Sequence, residues 1–172
     1  MTTKHSSIAI VASLCVAFFV VVSCSDNGVD ASGIKLFALC SILAFLIQWL
    51  CFIPSWFFHS ERFFDLVGSA TYLTIIVVAL IAVPEIDTRS VLLGLMVCFW
   101  GLRLGAFLFA RVQAVGHDAR FDLMKYNFTW FLMTWTIQGL WVVLTTSAAL
   151  SAITSSSKKG FGWVGTIGVI IW

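Results

Sequence analysis

The chain has 172 residues, of which 60% are hydrophobic and 10% charged, with a net charge of +2. A water-soluble domain of ordinary composition carries about 25% charged residues, and a nucleic-acid-binding one adds a strong basic excess; both classes are excluded. Long apolar runs between short polar stretches identify an all-α membrane protein, one multi-pass domain over residues 1–172, rather than a β-barrel, whose strands alternate over about ten residues.

A hydrocarbon core of about 30 Å takes about 20 apolar residues as a helix. That ruler predicts spans over 8–24, 36–57, 66–84, 91–110 and 128–153. The first ends at Asp26-Asn27-Gly28. It also has features of a cleaved leader: Lys4 and His5 precede it, and Val21-Val22-Ser23-Cys24 looks like a lipoprotein cleavage box. Four more spans behind it favour a retained helix.

The second span carries Pro54 near its end and is followed by His59, Glu61 and Arg62. Asp65 opens the third, where an acid suits a helix N-terminus. Inside the third lies a small, polar patch, Gly68-Ser69-Ala70-Thr71-Tyr72, which means close helix packing. Tyr72 is the one tyrosine within a span. It is a candidate proton donor at a reaction centre, or a packing residue. Pro84-Glu85 ends this span and Thr88-Arg89 opens the next.

The fourth span holds Arg103, three residues past its centre, where arginine costs roughly 2.5–3.5 kcal/mol on insertion scales. Either the side chain snorkels to the interface or it faces inward to hold an anion. Gly101 and Gly105 form a Gly-x-x-x-Gly pair. At 100° per residue Arg103 points about 200° from Gly101, so the small face can pack on a neighbour while Arg103 faces elsewhere. The fifth span contains Gln138 at a depth similar to Arg103. Gln138 is a candidate for the reaction centre, or an amide that hydrogen-bonds across helices.

A sixth apolar run, Phe161 to Trp172, rises only about 18 Å as a helix. It is expected to be a truncated sixth transmembrane helix. The five cysteines (Cys15, Cys24, Cys40, Cys51 and Cys98) contain no Cys-x-x-Cys pair and read as small buried hydrophobes, with no metal site implied. Loop lysines and arginines favour a cytosolic N-terminus. This puts the 58–65 and 111–126 loops together on the cytosolic side, and the sequon at Asn127 is then expected to stay unmodified.

Charge concentrates in Trp100 to Lys125, which includes Arg103, Arg111, His117, Asp118, Arg120, Asp122 and Lys125. Three fixed cations at a membrane surface suit phosphate, which arginine binds bidentately. Asp118 and Asp122 would orient the arginines or hold ribose hydroxyls. The plain alternative is a membrane-edge loop meeting lipid headgroups. His59, Glu61, Arg62 and Asp65 could complete a polar pocket with it.

Four blocks stand in order: Gly68-Ser-Ala-Thr-Tyr72, Trp100-Gly-Leu-Arg-Leu-Gly-Ala-Phe-Leu-Phe-Ala-Arg111, Gly116-His-Asp-Ala-Arg-Phe-Asp-Leu-Met-Lys125 and Trp135-Thr-Ile-Gln-Gly-Leu-Trp-Val142. Over roughly Ser60 to Trp172 the chain resembles the multi-pass membrane family related to steroid 5-alpha-reductases. The resemblance implies a helical membrane reductase that uses NADPH to reduce the C=C bond of a hydrophobic, lipid- or steroid-like enone in the endoplasmic reticulum or another membrane. It implies a tyrosine or an acid that polarises the carbonyl oxygen, for which Tyr72 is the candidate, and Arg103, Arg111, Asp118 and Arg120 lining the polar cofactor region. The family continues through further helix and a stretch like Ser-Arg-His-Pro-Asn-Tyr, so this sequence is expected to carry only part of the cofactor site. The alternative is a non-catalytic membrane module that packs helices or binds lipid.

Overall fold

The computed structural model describes residues 3–31, 33–116, 118–157 and 160–172; His117, Lys158 and Lys159 lie outside the described residues. Five helices are long and apolar enough to cross a membrane: α1 (Thr3–Ser25), α2 (Leu36–Phe57), α3 (Phe64–Ala82), α4 (Thr88–Val115) and α5 (Phe128–Thr154). An antiparallel hairpin, β1 (Asp30–Ala31) with β2 (Ile34–Lys35), joins α1 to α2. Two 3-10 turns, Ala119–Phe121 and Met124–Tyr126, join α4 to α5. A short α6 (Trp163–Ile171) follows; its nine residues rise about 14 Å. The chain is an all-α multi-pass membrane protein.

α5 is the central element, touching α1, α2, α3 and α4. Its polar residues do not oppose this burial, because their hydroxyls bond back along the helix: Thr146 Oγ1 donates to Val142 O (2.7 Å) and Thr154 Oγ1 to Leu150 O (2.9 Å). Such internal satisfaction is what a hydrocarbon environment demands. Gly139 lets α2 approach closely, since a Cβ there would meet the Phe45 ring at 2.9 Å. The core joins Phe37, Cys40 and Ala44 of α2 to Ile75, Ile76 and Ala79 of α3 and to Val142, Val143 and Leu150 of α5.

α3 and α4 pack through small residues. A Cβ on Gly105 would lie 2.7 Å from Ser69 Cβ, and one on Gly101 3.5 Å from Tyr72 Cβ. The Gly-x-x-x-Gly face therefore serves as expected, and Arg103 is exposed on the other side of α4. Of the cysteines expected to be buried, Cys40 is, while Cys15 faces outward from α1.

The helix ends correct three expectations, the first being α1, which runs 3–25 rather than 8–24. The third helix runs 64–82 rather than 66–84: Val83 already has φ −71° and ψ 132°, the extended shape forced on a residue before proline. The fourth runs 88–115 rather than 91–110. Asp87 caps it by accepting from Ser90 N (2.8 Å), and Gly116 ends it at φ 86°. Arg111 thus belongs to α4, just ahead of its last turn, and not to the loop. Asn127 of the sequon is the cap of α5, accepting from Trp130 N at 3.1 Å.

Candidate functional site

The loop after Gly116 is pinned by an aromatic anchor. Phe121 is buried among Phe64, Phe131 and Trp135, with the Phe64 ring 4.9 Å away. Burying one such ring contributes about 1.5–3 kcal/mol, enough to fix the neighbouring Asp118 and Arg120 against the start of α3.

There the charged residues converge. Arg120 Nε donates to both carboxylate oxygens of Asp118, at 3.0 and 2.9 Å. Arg120 also lies 3.5 Å from Asp65, and Arg111 lies 3.7 Å from both Asp65 and Asp118. The carboxylates are largely covered (Asp65 15% and Asp118 12% exposed), whereas the guanidinium side chains are half open (Arg111 47%, Arg120 57%). Two recessed acids thus hold two arginines that keep N–H groups facing outward. The hydrogen bond from Arg120 holds the Asp118 carboxyl below its ordinary range and raises Arg120 in turn.

A second ionic link ties the 58–63 loop to this cluster. Lys125 Nζ donates to Glu61 Oε2 at 3.0 Å, and Asp118 N donates to Glu61 Oε1 at 3.3 Å. Burial pushes the Glu61 carboxyl up, but Lys125 and the backbone N–H groups of Glu61 and Asp118 outweigh it, and the group ends below its usual range. Arg62 donates to Gln113 in the last turn of α4, and His59 Nδ1 lies 3.1 Å from Lys125 O. The 58–65 and 111–126 segments therefore form one polar end of the bundle.

Beside this cluster a cavity of about 350 Å³ runs between α3, α4 and α5, within the size range of small-molecule sites. Asp65 and Arg120 stand at its polar end. Leu104, Leu108 and Ile137 make apolar walls, and Tyr72 lies seven residues along α3 from Asp65, about 10 Å further in. Arg120 also borders a surface hollow of about 310 Å³ shared with Arg111 and Asp118. One arginine thus connects the ionic surface with the apolar interior.

Tyr72 is almost wholly buried, with its ring 5.0 Å from Trp100. Its hydroxyl lies 2.7 Å from Thr145 Oγ1, which itself donates to Trp141 O at 2.7 Å. The one hydroxyl hydrogen of Thr145 is committed, so Tyr72 is the donor of the pair. Gln138 also lines the cavity, and both its amide hydrogens are held: Nε2 donates to Gln48 Oε1 (3.1 Å) and to Phe64 O (2.9 Å). Gln138 therefore offers the cavity an oxygen and no donor, and its established work is to join α5 to α2 and α3.

Of the residues singled out in the sequence, Arg111, Asp118 and Arg120 meet at one cluster, and Tyr72 and Gln138 share the adjoining cavity. Arg103 joins neither; it is exposed and pairs with no carboxylate among the described residues. Asp122 is exposed as well. Three participants had gone unnoticed. Gln48 is fully buried and donates to Thr71 Oγ1 at 2.7 Å; its signal was a lone amide in an apolar run. Thr145 had no distinguishing mark among the many hydroxyls of α5. Phe121 could have been read as an aromatic stranded among charges.

A five-helix bundle with an ionic cluster and an adjoining open cavity at one end defines a multi-pass membrane protein with a polar end-site. The chain belongs to the family described as protein of unknown function (DUF1295), whose model matches residues 51–172. That stretch contains every element lining the site: α3, α4, both 3-10 turns and α5. No curated protein and no solved structure matches the chain.

Proposed function

We propose that this chain binds the substrate and contributes cofactor-binding residues in a membrane reductase, related to steroid 5-alpha-reductases, that reduces the C=C bond of a hydrophobic enone with NADPH. The observation that carries this reading is the double position of Arg120, on the ionic hollow and on the apolar cavity at once. A guest with an anionic end and a flat apolar end fits such a pair of spaces. NADPH, when bound, would supply the hydride to the β-carbon of the enone.

The chain's own residues supply the rest. Arg111 and Arg120, preset by Asp65 and Asp118, fit phosphate oxygens without a further search of rotamers. The walls at Leu104, Leu108 and Ile137 exclude water and take the hydrocarbon body of the substrate. Tyr72 turns its hydroxyl from Thr145 to the carbonyl oxygen and stabilises the negative charge that gathers there. A proton taken up from solvent at the α-carbon balances the hydride and completes the reduction. The cytosolic orientation of this end would expose the arginines to the soluble cofactor.

A second reading is a non-catalytic membrane module, favoured by one observation: Arg111 and Arg120 are already balanced by Asp65 and Asp118. The readings separate in purified protein in detergent. The reductase reading expects NADPH to raise the melting temperature, Arg111→Ala with Arg120→Ala to abolish the rise, and Tyr72→Phe to keep the rise while slowing turnover of a steroid-like enone. A folded chain with no response to NADPH would leave the module.

A further inference from the structure

At the opposite end of the bundle, Arg89 stands in the first turn of α4 where two hollows meet. One, of about 500 Å³, is bordered by Asn27, Ser151 and Ser155 and is rich in polar groups. The other, of about 610 Å³, is an apolar groove between α4 and α6, walled by Leu92, Leu93 and Met96 on one side and the glycines of α6 on the other. α6 buries none of its residues, so it stands off from α4 across this groove. The rings of Phe99 and Trp172, with centroids 6.2 Å apart, meet at the far end.

From Arg89 to Phe99, α4 rises about 15 Å, which is half of a hydrocarbon core of about 30 Å and so the depth of one leaflet. In a bilayer the walls of an unfilled apolar groove forfeit dispersion contacts. An acyl chain is the filler at hand, and its length axis matches the groove.

The cation chooses the headgroup. Arg89 donates through Nη2 to Ala152 O in the last turn of α5, at 3.3 Å. Its Nε is buried without a hydrogen-bond acceptor, because Asp87 Oδ2 lies 3.9 Å away and Oδ1 of the same aspartate caps Ser90. That Nε is sealed and faces Asp87 as an ion pair, so an anion meets only the exposed quarter of the Arg89 side chain, at the point where the polar hollow gives way to the groove. A soluble anion would leave the groove bare, and an uncharged lipid would make no use of the exposed part of the guanidinium.

We propose that Arg89 and the α4–α6 groove form a binding site for an anionic phospholipid, with the headgroup phosphate on Arg89 and one acyl chain along α4. The site lies outside the α3–α5 cavity and does not depend on the reductase reading.

The test uses the full chain, purified and exposed to equal amounts of phosphatidylglycerol and phosphatidylcholine, with native mass spectrometry reading the lipid retained. Phosphatidylglycerol is expected to be kept in preference by roughly fivefold, the effect of about one interfacial cation. Arg89→Gln removes the preference. Gly168→Leu, at a groove position where a Cβ meets nothing within 4 Å, lowers retention of both lipids without a packing conflict. Inorganic phosphate leaves the bound lipid in place. Equal retention of the two lipids by the unaltered chain, indifference to Gly168→Leu, or displacement by inorganic phosphate would each overturn the site, and none of these three needs the Arg89 variant to fold.

Discussion

At the scale of single residues, the Glu61–Lys125 pair has the sharpest consequence. Lys125 is 16% exposed and Glu61 7%, so neither charge is well hydrated. Glu61→Gln keeps the shape and removes the charge that Lys125 was buried against. Losing a hydrogen bond between charged groups costs about 1.5–3 kcal/mol, and the melting temperature in detergent should fall accordingly. The pH dependence follows from the same residue and from Asp118. Both carboxyls sit lower in the folded chain than their ordinary 4.5 and 3.8. The unfolded chain therefore takes up protons first on acidification. Their stabilisation is complete above about pH 5 and drains away as pH falls through the folded values. A melting-temperature series in acid should show this decline, and Glu61→Gln should flatten part of it. An unchanged slope in the variant would remove Glu61 from the account.

At the scale of elements, the contact between α3 and α4 rests on Gly105 against Ser69. A methyl at Gly105 would sit 2.7 Å from Ser69 Cβ, closer than packed carbons tolerate. Gly105→Ala should therefore destabilise by about 1–3 kcal/mol, the range for overpacking. Ser69→Gly in the same chain should recover part of that loss, because it removes the atom in conflict. A double-mutant cycle by thermal unfolding reads the coupling directly, and additive effects would mean that the helices do not meet there. This contact was legible beforehand: Gly101 and Gly105 share a face by helical spacing, and that spacing also turned Arg103 away. The five spans and the meeting of the 58–65 and 111–126 segments were legible for a similar reason, since apolar run lengths set both. The ion pairing was not. Asp65 meets Arg120 only because Phe121 buries its ring beside Phe64, and Gln48 meets Gln138 only because α2 and α3 flank α5. Proximity of that kind is set by packing between distant segments and leaves no periodic trace.

At the scale of the whole molecule, five crossings divide the connections between two faces. The 58–63 loop and the two 3-10 turns lie on one, while the β1–β2 hairpin, the 83–87 turn and the Ser155 region lie on the other. The second face is knit together: Val29 N donates to Thr154 O at 2.8 Å, Ser156 N to Asn27 O at 2.8 Å, and Lys35 Nζ to Gly28 O at 3.0 Å. The first is knit by Glu61, Lys125, Asp65, Asp118 and the two arginines. Each face thus has its own polar network, so neither end of the bundle relies on the other for its geometry, and a reductase site at one could coexist with a lipid site at the other. The positive charges of Arg62, Arg111, Arg120 and Lys125 favour the first face as cytosolic. In a background freed of native cysteines, Asp122→Cys in sealed vesicles should be labelled by an impermeant maleimide only from the cytosolic side, and Asp30→Cys only from the opposite side. Both positions are exposed, so labelling of either needs no unfolding. If both cysteines reacted from one side, an odd number of crossings between them could not hold, and the shared polar face at the arginines would be an accident of packing rather than a surface open to the cytosol.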